Sequence, residues 1–492
     1  MKQGKFYITT SIAYTNSPPH IGFALELVQA DVLARYKRLL GKEVFFLTGT
    51  DEHGAKVAKA AKAAGEEPKI FTDKIAGRFL ELAKVLDISN DYFIRTTDKR
   101  RHWPSVEKVW QGLKESGDIY KKEYRGLYCS GCEAFITKKD LADGKCIIHQ
   151  REPEKVEEEN YFFRLSKYSK EIKEAIEIGE IKILPQGRKN EILSFISQGL
   201  QDVSFSRPRN DLKWAIPVPG DASSSIYVWA DALTNYISAL GYDKESSKFK
   251  KFWPADVHFI GKDILRFHAV IWPGMLLSLG LPLPKTIFVH GHITKDGQKI
   301  SKSLGNAVDP FELVEKYGAD TLRYYLLREI LPTEDGDFTR QKFEERYNGD
   351  LAKGLGNLVA RVMAVAISSK FPVFAESDSD VSSKKTPKFI NKTWKAYRKA
   401  VEEFKFNDAL AAIWDLVHFS DKYIEEIRPW ENSGKKQPAI YNLLFSIANI
   451  ASLLEPFLPK TSEDIFSQLG IKPTSKKWLF KVKKGKPLFP RF

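Results

Sequence analysis

"NSPPHIGFALE", residues 16–26, decides the reading. Asn16, Ser17 and the two prolines break regular structure, and Pro19 biases Pro18 towards an extended backbone. From Ala24 onward Leu25, Val28, Val32, Tyr36 and Leu39 recur at helical spacing, and Gly41 supplies a stop. Upstream, "KFYITTSIAY" reads as a strand; downstream, "EVFFLTG" reads as a second one. Strand, helix, strand with short connections is a βαβ unit and calls for a parallel sheet. His20 therefore stands at a strand-to-helix turn, a place suited to binding an anion. "TDEHG", residues 50–54, follows the second strand directly, and ligands of open parallel sheets bind beyond such strand ends.

Working outward, residues 55–117 read as helical. From 118 the pattern changes to short segments, cysteines and charged turns. Strands return from 221 in "SSIYVWADAL", "VHFIGKD" and "TIFVHGHIT". Beyond 340 nearly everything reads as amphipathic helix, interrupted by a polar linker at 375–387. The expected fold class is α/β: a Rossmann-like parallel sheet split by a zinc-binding connective insertion and followed by an all-α domain. The expected divisions are 1–117 and 221–330 for the two halves of the sheet domain, 118–220 for the insertion, 331–370 for a connecting region and 371–492 for the helical domain.

The chain has 492 residues, with a net charge of +14. That surplus points to a polyanionic partner such as nucleic acid or an anionic membrane. Three cysteines, an odd and low number, argue against a disulfide framework and for a reducing compartment, hence a cytoplasmic protein. The first apolar segment reads as a strand and not a signal peptide. No run of about 18 apolar residues is evident, so no membrane span is expected.

Two features carry chemistry. "DGQKISKSLGN", residues 296–306, follows a strand and lies between Gly297 and Gly305. Its Lys299 and Lys302 sit on a small, hydroxyl-rich loop of the kind that closes on a triphosphate and neutralises departing pyrophosphate. No P-loop pattern occurs anywhere in the chain. The second feature is Cys129-x2-Cys132-x13-Cys146-x2-His149, with the ligand count and softness of a structural, four-coordinate zinc. It accounts for all three cysteines.

"PPHIG" and "KISKS" resemble the HIGH and KMSKS signatures of class I aminoacyl-tRNA synthetases, and the order, spacing and cysteines resemble the bacterial methionyl branch of that family. The likeness runs from "FYITT" to the closing "PLFPRF". It implies ATP, L-methionine and tRNA(Met), initiator tRNA included, as partners, Mg²⁺ with the ATP, and methionyl-adenylate as intermediate. It assigns His20, Lys299 and Lys302 to catalysis, and those three with Gly22 and Phe23 to ATP binding. Phe23 departs from the family, which usually has histidine there. Phe23 is accordingly expected to pack against the nucleotide or the KISKS strand, with His292 or a backbone N–H supplying the lost contact. Ile12, Tyr14, Asp51, Trp229, Leu233, Tyr236, Ile264 and His268 match the methionine pocket, with Asp51 pairing to the substrate ammonium. Leu233 stands where some relatives have proline. Asn357, Arg361 and Trp430 match the residues that meet the anticodon, and the family's insertion carries a zinc knuckle at the Cys/His set. The chain stops at "LFPRF" without an appended module, so a monomer is expected. Two alternatives stand beside this reading: another class I synthetase, and, because of Phe23, a catalytically silent paralogue that only binds tRNA.

Overall fold

The computed structural model describes residues 4–129, 134–136, 141–147, 150–295, 297–300, 308–369, 385–431, 436–472 and 479–490. The chain divides into two units. One comprises Met1–Pro19, Lys37–Ala83 and Ser89–His290; the other comprises His20–Tyr36, Lys84–Ile88 and Gly291–Phe492.

The first unit is built on a six-stranded parallel sheet. Its spatial order is Tyr92–Arg95, Glu43–Asp51, Lys5–Tyr14, Val257–Gly261, Thr286–His290, Lys182–Leu184. Strands Val257–Gly261 and Thr286–His290, and the middle of Lys5–Tyr14, are almost fully buried, as a parallel sheet covered on both faces requires. Gly49 lets two strands approach closely: a Cβ there would lie 2.1 Å from the Ile94 carbonyl oxygen. Two aspartates continue the ladder beyond the backbone, Asp256 accepting from the Tyr7 N–H at 2.8 Å and Asp91 from the Phe46 N–H at 2.7 Å.

The predicted βαβ opening is present: Lys5–Tyr14 and Glu43–Asp51 are parallel and joined through helix Ile21–Leu39, with Gly41 at φ +77° just past its end. Three local expectations are corrected. Residues 55–117 are not all helical, because Tyr92–Arg95 forms an edge strand between helices Pro68–Val85 and Trp103–Glu115. Four residues are too few to display a two-residue period. "SSIYVWADAL" changes type partway: the strand ends at Ile226, and Val228–Leu233, richer in helix-forming residues, is a helix. The stretch 118–220 is also not wholly separate from the sheet, since Lys182–Leu184 forms its edge beside Thr286–His290. The stretch also builds a sheet of its own, ordered Val203–Ser204, Glu154–Phe163, Ile119–Cys129, Ala134–Ile136, and carries helices Ser169–Glu177 and Gln186–Ser197.

The second unit is mainly helical, with a small sheet of Gln298–Lys299, Ile293–Lys295 and Gly336–Asp337. At its centre the Arg323 side chain is fully buried. It donates to the carbonyls of Leu86, Pro456 and Phe457 and pairs with the buried Asp31 carboxylate at 2.8 Å. Every polar face of the guanidinium is thus occupied, which a buried charge demands. Two helices here, Arg340–Ser368 and Gln437–Leu454, are long and apolar enough by composition to cross a membrane, contrary to expectation. The most apolar part of Gln437–Leu454 is 78% buried inside the unit, as expected of a core helix. The predicted 375–387 linker falls largely outside the described residues.

Candidate functional site

In the first unit the residues matched to the methionine site gather where strand Lys5–Tyr14 ends. The register shifts between Thr9 and Ile12, after which Ile12 pairs with Gly49 and Tyr14 with Asp51. Ile12 and Tyr14 are two apart and so lie on one face of the strand. Asp51, the last residue of its strand, is 2% exposed.

Opposite them stands an aromatic wall. Trp229 meets the Tyr14 ring edge-to-face at 6.4 Å and stacks on Phe267 at 3.7 Å with only 9° between planes. His268 stands edge-on to Trp229 at 6.3 Å. Phe267 and His268 open a π-helical turn, Phe267–Ile271, a local widening often found at functional sites. His268 Nδ1 lies 2.9 Å from the Ile264 carbonyl, which can only accept, so this nitrogen carries the proton. Nε2 of the neutral ring is then an acceptor and takes the Tyr236 hydroxyl proton at 2.7 Å. Leu233 and Tyr236 are each 1% exposed, and Ile264 packs against the same core. Beneath Tyr236, at 4.3 Å, lies the fully buried ring of His258, bonded through Nδ1 to Thr9. Burial, aided by His268, pushes its pKa well below the ordinary histidine value, so it is a neutral floor. All eight residues expected at the pocket belong to this unit. Phe267 was missed; its signal was an aromatic directly before His268 in "RFH".

The "TDEHG" cluster divides by task. Glu52, fully buried, takes a bidentate contact from Arg95 at 2.6 and 2.8 Å and hydroxyl bonds from Thr50 and Thr97. His53 bonds Asp231 at 2.7 Å. Both are committed to scaffold, leaving Asp51 as the carboxylate at the strand end.

In the second unit, His20 is exposed at the start of helix Ile21–Leu39. The Gly22 N–H donates to its Nδ1 at 3.0 Å, which leaves Nε2 of the neutral ring as a donor. The N–H groups of Phe23 and Ala24 turn back onto the His20 carbonyl, at 3.0 and 3.3 Å. The amides at 22–24 are therefore turned onto His20, and the imidazole becomes the outward donor of this turn. Phe23 is half-buried, and the His292 N–H donates to Asp335. The 293–299 hairpin pairs Lys299 with Thr294. Asp337 holds it by accepting from Thr294 Oγ1 at 2.7 Å and the Gly297 N–H at 3.0 Å. Lys302 lies outside the described residues.

Also in this unit, Asn357 is exposed and opens helix Asn357–Ser368. Arg361, one turn on, faces Asp421 at 3.7 Å and Glu425 at 3.5 Å. Trp430 is 50% exposed, a large apolar surface left in water after helix Phe406–Ile427 ends at Arg428 in the left-handed conformation. Of the predicted zinc ligands, Cys129 and Cys146 are each 1% exposed and share one small cluster with Ile136. Cys132 and His149 lie outside the described residues, and among those described no group of three metal-ligating side chains occurs.

A split parallel sheet with a histidine turn, a lysine hairpin and a helical part defines a class, and the comparisons agree on it. The family described as "tRNA synthetases class I (M)" matches residues 6–140 and 136–363, and an anticodon-binding domain of tRNA ligases matches 387–484. The methionine–tRNA ligase of Caldanaerobacter subterraneus is 45% identical, aligned over 99% of this chain and 78% of its own. That of Bacillus subtilis is 44% identical over 99% and 78%. The structure of Mycobacterium tuberculosis methionyl-tRNA synthetase in complex with methionyl-adenylate is 36% identical with a TM-score of 0.93, covering 99% of this chain and all of the other. The chain belongs to the methionyl-tRNA synthetases.

Proposed function

We propose that the chain carries out its family's reaction with the residues described above. It activates L-methionine with ATP to methionyl-adenylate and pyrophosphate, then transfers the methionyl group to the 3′ end of tRNA(Met). The observation that carries the residue assignment is the box of Tyr14, Trp229, Phe267 and His268 beside Asp51, whose strand partner is Tyr14. A flexible thioether suits such a box, since sulfur–aromatic contacts contribute about 0.3–1.5 kcal/mol each. Asp51 takes the ammonium group. Ile12, Leu233, Tyr236 and Ile264 complete the lining.

The methionine carboxylate attacks the α-phosphorus, so no protein nucleophile is required; positioning and charge stabilisation do the work. His20 Nε2–H donates to a phosphate oxygen. Gly22 holds that ring, Phe23 contributes an apolar surface, and Lys299 and Lys302 neutralise the departing pyrophosphate. Mg²⁺ arrives with ATP as part of the substrate. Asn357, Arg361 and Trp430 meet the anticodon, where an exposed indole and a partly exposed guanidinium suit unpaired bases.

The insertion at 118–220 holds one structural zinc on Cys129, Cys132, Cys146 and His149. The burial of Cys129 and Cys146 in one cluster fits this assignment. When bound, the metal would supply folding energy to the small cluster of Cys129, Ile136 and Cys146, which is apart from the main core. The segments 1–117 and 221–330 form the catalytic domain, 331–370 the stem-contact region and 371–492 the anticodon-binding domain. A cytoplasmic setting suits the thiol ligands and the tRNA substrate.

The test is steady-state pyrophosphate exchange with Asp51→Asn and Trp229→Ala. Both should raise the methionine KM far more than the ATP KM. An unchanged methionine KM in both would overturn the pocket.

A further inference from the structure

Behind the pocket lies a polar cluster with no direct part in the reaction. Asp231 is 1% exposed, and each of its oxygens is taken by a different imidazole. His53 Nδ1 is 2.7 Å from Oδ2, and His102 Nε2 is 2.7 Å from Oδ1. A carboxylate only accepts, so both of these nitrogens, Nδ1 of His53 and Nε2 of His102, carry protons. The other nitrogen of His102, Nδ1, lies 2.8 Å from the Ser238 hydroxyl, which donates to it when the ring is neutral. Trp103 and Trp214 close over His53 at 5.9 and 5.7 Å. Burial opposes the charge on Asp231, but the two imidazoles outweigh it and hold the carboxyl below its ordinary range.

The placement of these residues is what gives the cluster a role. His53 is two residues past Asp51. Asp231 lies between Trp229 and Leu233 on helix Val228–Leu233. Ser238 is two residues past Tyr236, and His102 caps helix Trp103–Glu115. The cluster thus ties the strand end carrying the ammonium-binding carboxylate to the helices carrying the side-chain wall. Every tie is a charge-assisted or buried hydrogen bond with defined direction.

We propose that Asp231, held between His53 and His102, is a positioning residue that sets the spacing between the Asp51 carboxylate and the Trp229–Tyr236 wall, and hence the length of amino acid the pocket accepts. The inference rests on the methionine pocket proposed above.

Pyrophosphate exchange on the full chain tests it, with KM measured separately for methionine, norleucine and ATP. Asp231→Asn should raise the methionine KM by about tenfold or more, since small displacements of a binding group carry large penalties, while the ATP KM stays within about twofold. It should also narrow the preference for methionine over norleucine. The positions of the two donor nitrogens supply an independent control. His53→Asn keeps a donor near the Nδ1 position, and His102→Gln keeps one near Nε2. Both should hold the methionine KM within about threefold of the parent, whereas His53→Leu and His102→Leu, which keep volume without the donor, should behave as Asp231→Asn does. If leucine and amide variants behave alike, or methionine and ATP KM rise together, the cluster is structural filling and the proposal falls. Asp51→Asn serves as reference. If it raises the methionine KM while the Asp231 and histidine variants do not, only the positioning role fails. If it too leaves that KM unchanged, the pocket reading fails first.

Discussion

His20 depends on the glycine two residues on. A Cβ at position 22 would lie 2.8 Å from the ring's Cε1 and 3.0 Å from Nδ1, so alanine there forces the ring to turn and breaks its bond to the Gly22 amide. Gly22→Ala should therefore slow single-turnover adenylate formation with little change in the thermal midpoint. A rate equal to the parent's would show that the ring's setting is immaterial. His20→Ala should cost more, about 10²–10³ in rate, the usual loss for one well-placed transition-state donor. Phe23 stands where the resemblance of "PPHIG" to the HIGH signature calls for histidine. Because His20 Nε2–H already points outward, Phe23→His should change activation by less than about tenfold, or about 1.4 kcal/mol. A gain of several hundredfold would show that nothing compensates for phenylalanine and would favour the silent-paralogue reading. At this scale the pocket was legible because its residues sit at fixed offsets inside short motifs. The division of labour in "TDEHG" was not. It is decided by Arg95 and by Asp231, 178 positions from His53, and no local pattern carries that pairing.

Helix Ile21–Leu39 and its flanking strands were readable because nineteen residues at helical spacing leave no competing period. Strands Tyr92–Arg95 and Lys182–Leu184 were not, because three or four residues show no period and only pairing with longer neighbours makes them strands. The Cys/His segment was read from ligand spacing alone, and Cys132 and His149 lie outside the described residues. Chelation of the purified protein, or Cys129→Ser, should loosen 118–220 to proteolysis and lower charging while leaving methionine-dependent exchange largely intact. Metal analysis should find about one zinc per chain. A metal-free protein with full charging would remove the zinc assignment. In the helical unit, Trp430 is half exposed in a turn that packing alone does not explain. Trp430→Ala should weaken charging by about 1–3 kcal/mol, the worth of one base stack. Exchange should stay near the parent's. If exchange falls as far as charging, the indole is structural.

The whole molecule joins two chemistries of different legibility. The surplus of positive charge announced a polyanionic partner in general terms, whereas two short signatures and their separation announced the reaction. The turn of His20 and the hairpin of Lys299 fall with the helical unit, while the methionine box falls with the sheet. A division by contacts therefore does not follow the order of the chain, and sequence boundaries could not have drawn it. The account requires that the pocket choose methionine and that the phosphate-binding residues act on it before any tRNA is present. Pyrophosphate exchange without tRNA, run with methionine, isoleucine, leucine, valine and cysteine in turn, measures this directly. The account predicts ATP–pyrophosphate exchange driven by methionine and near background with the other four; exchange driven equally well by another of them, or by none, would contradict it.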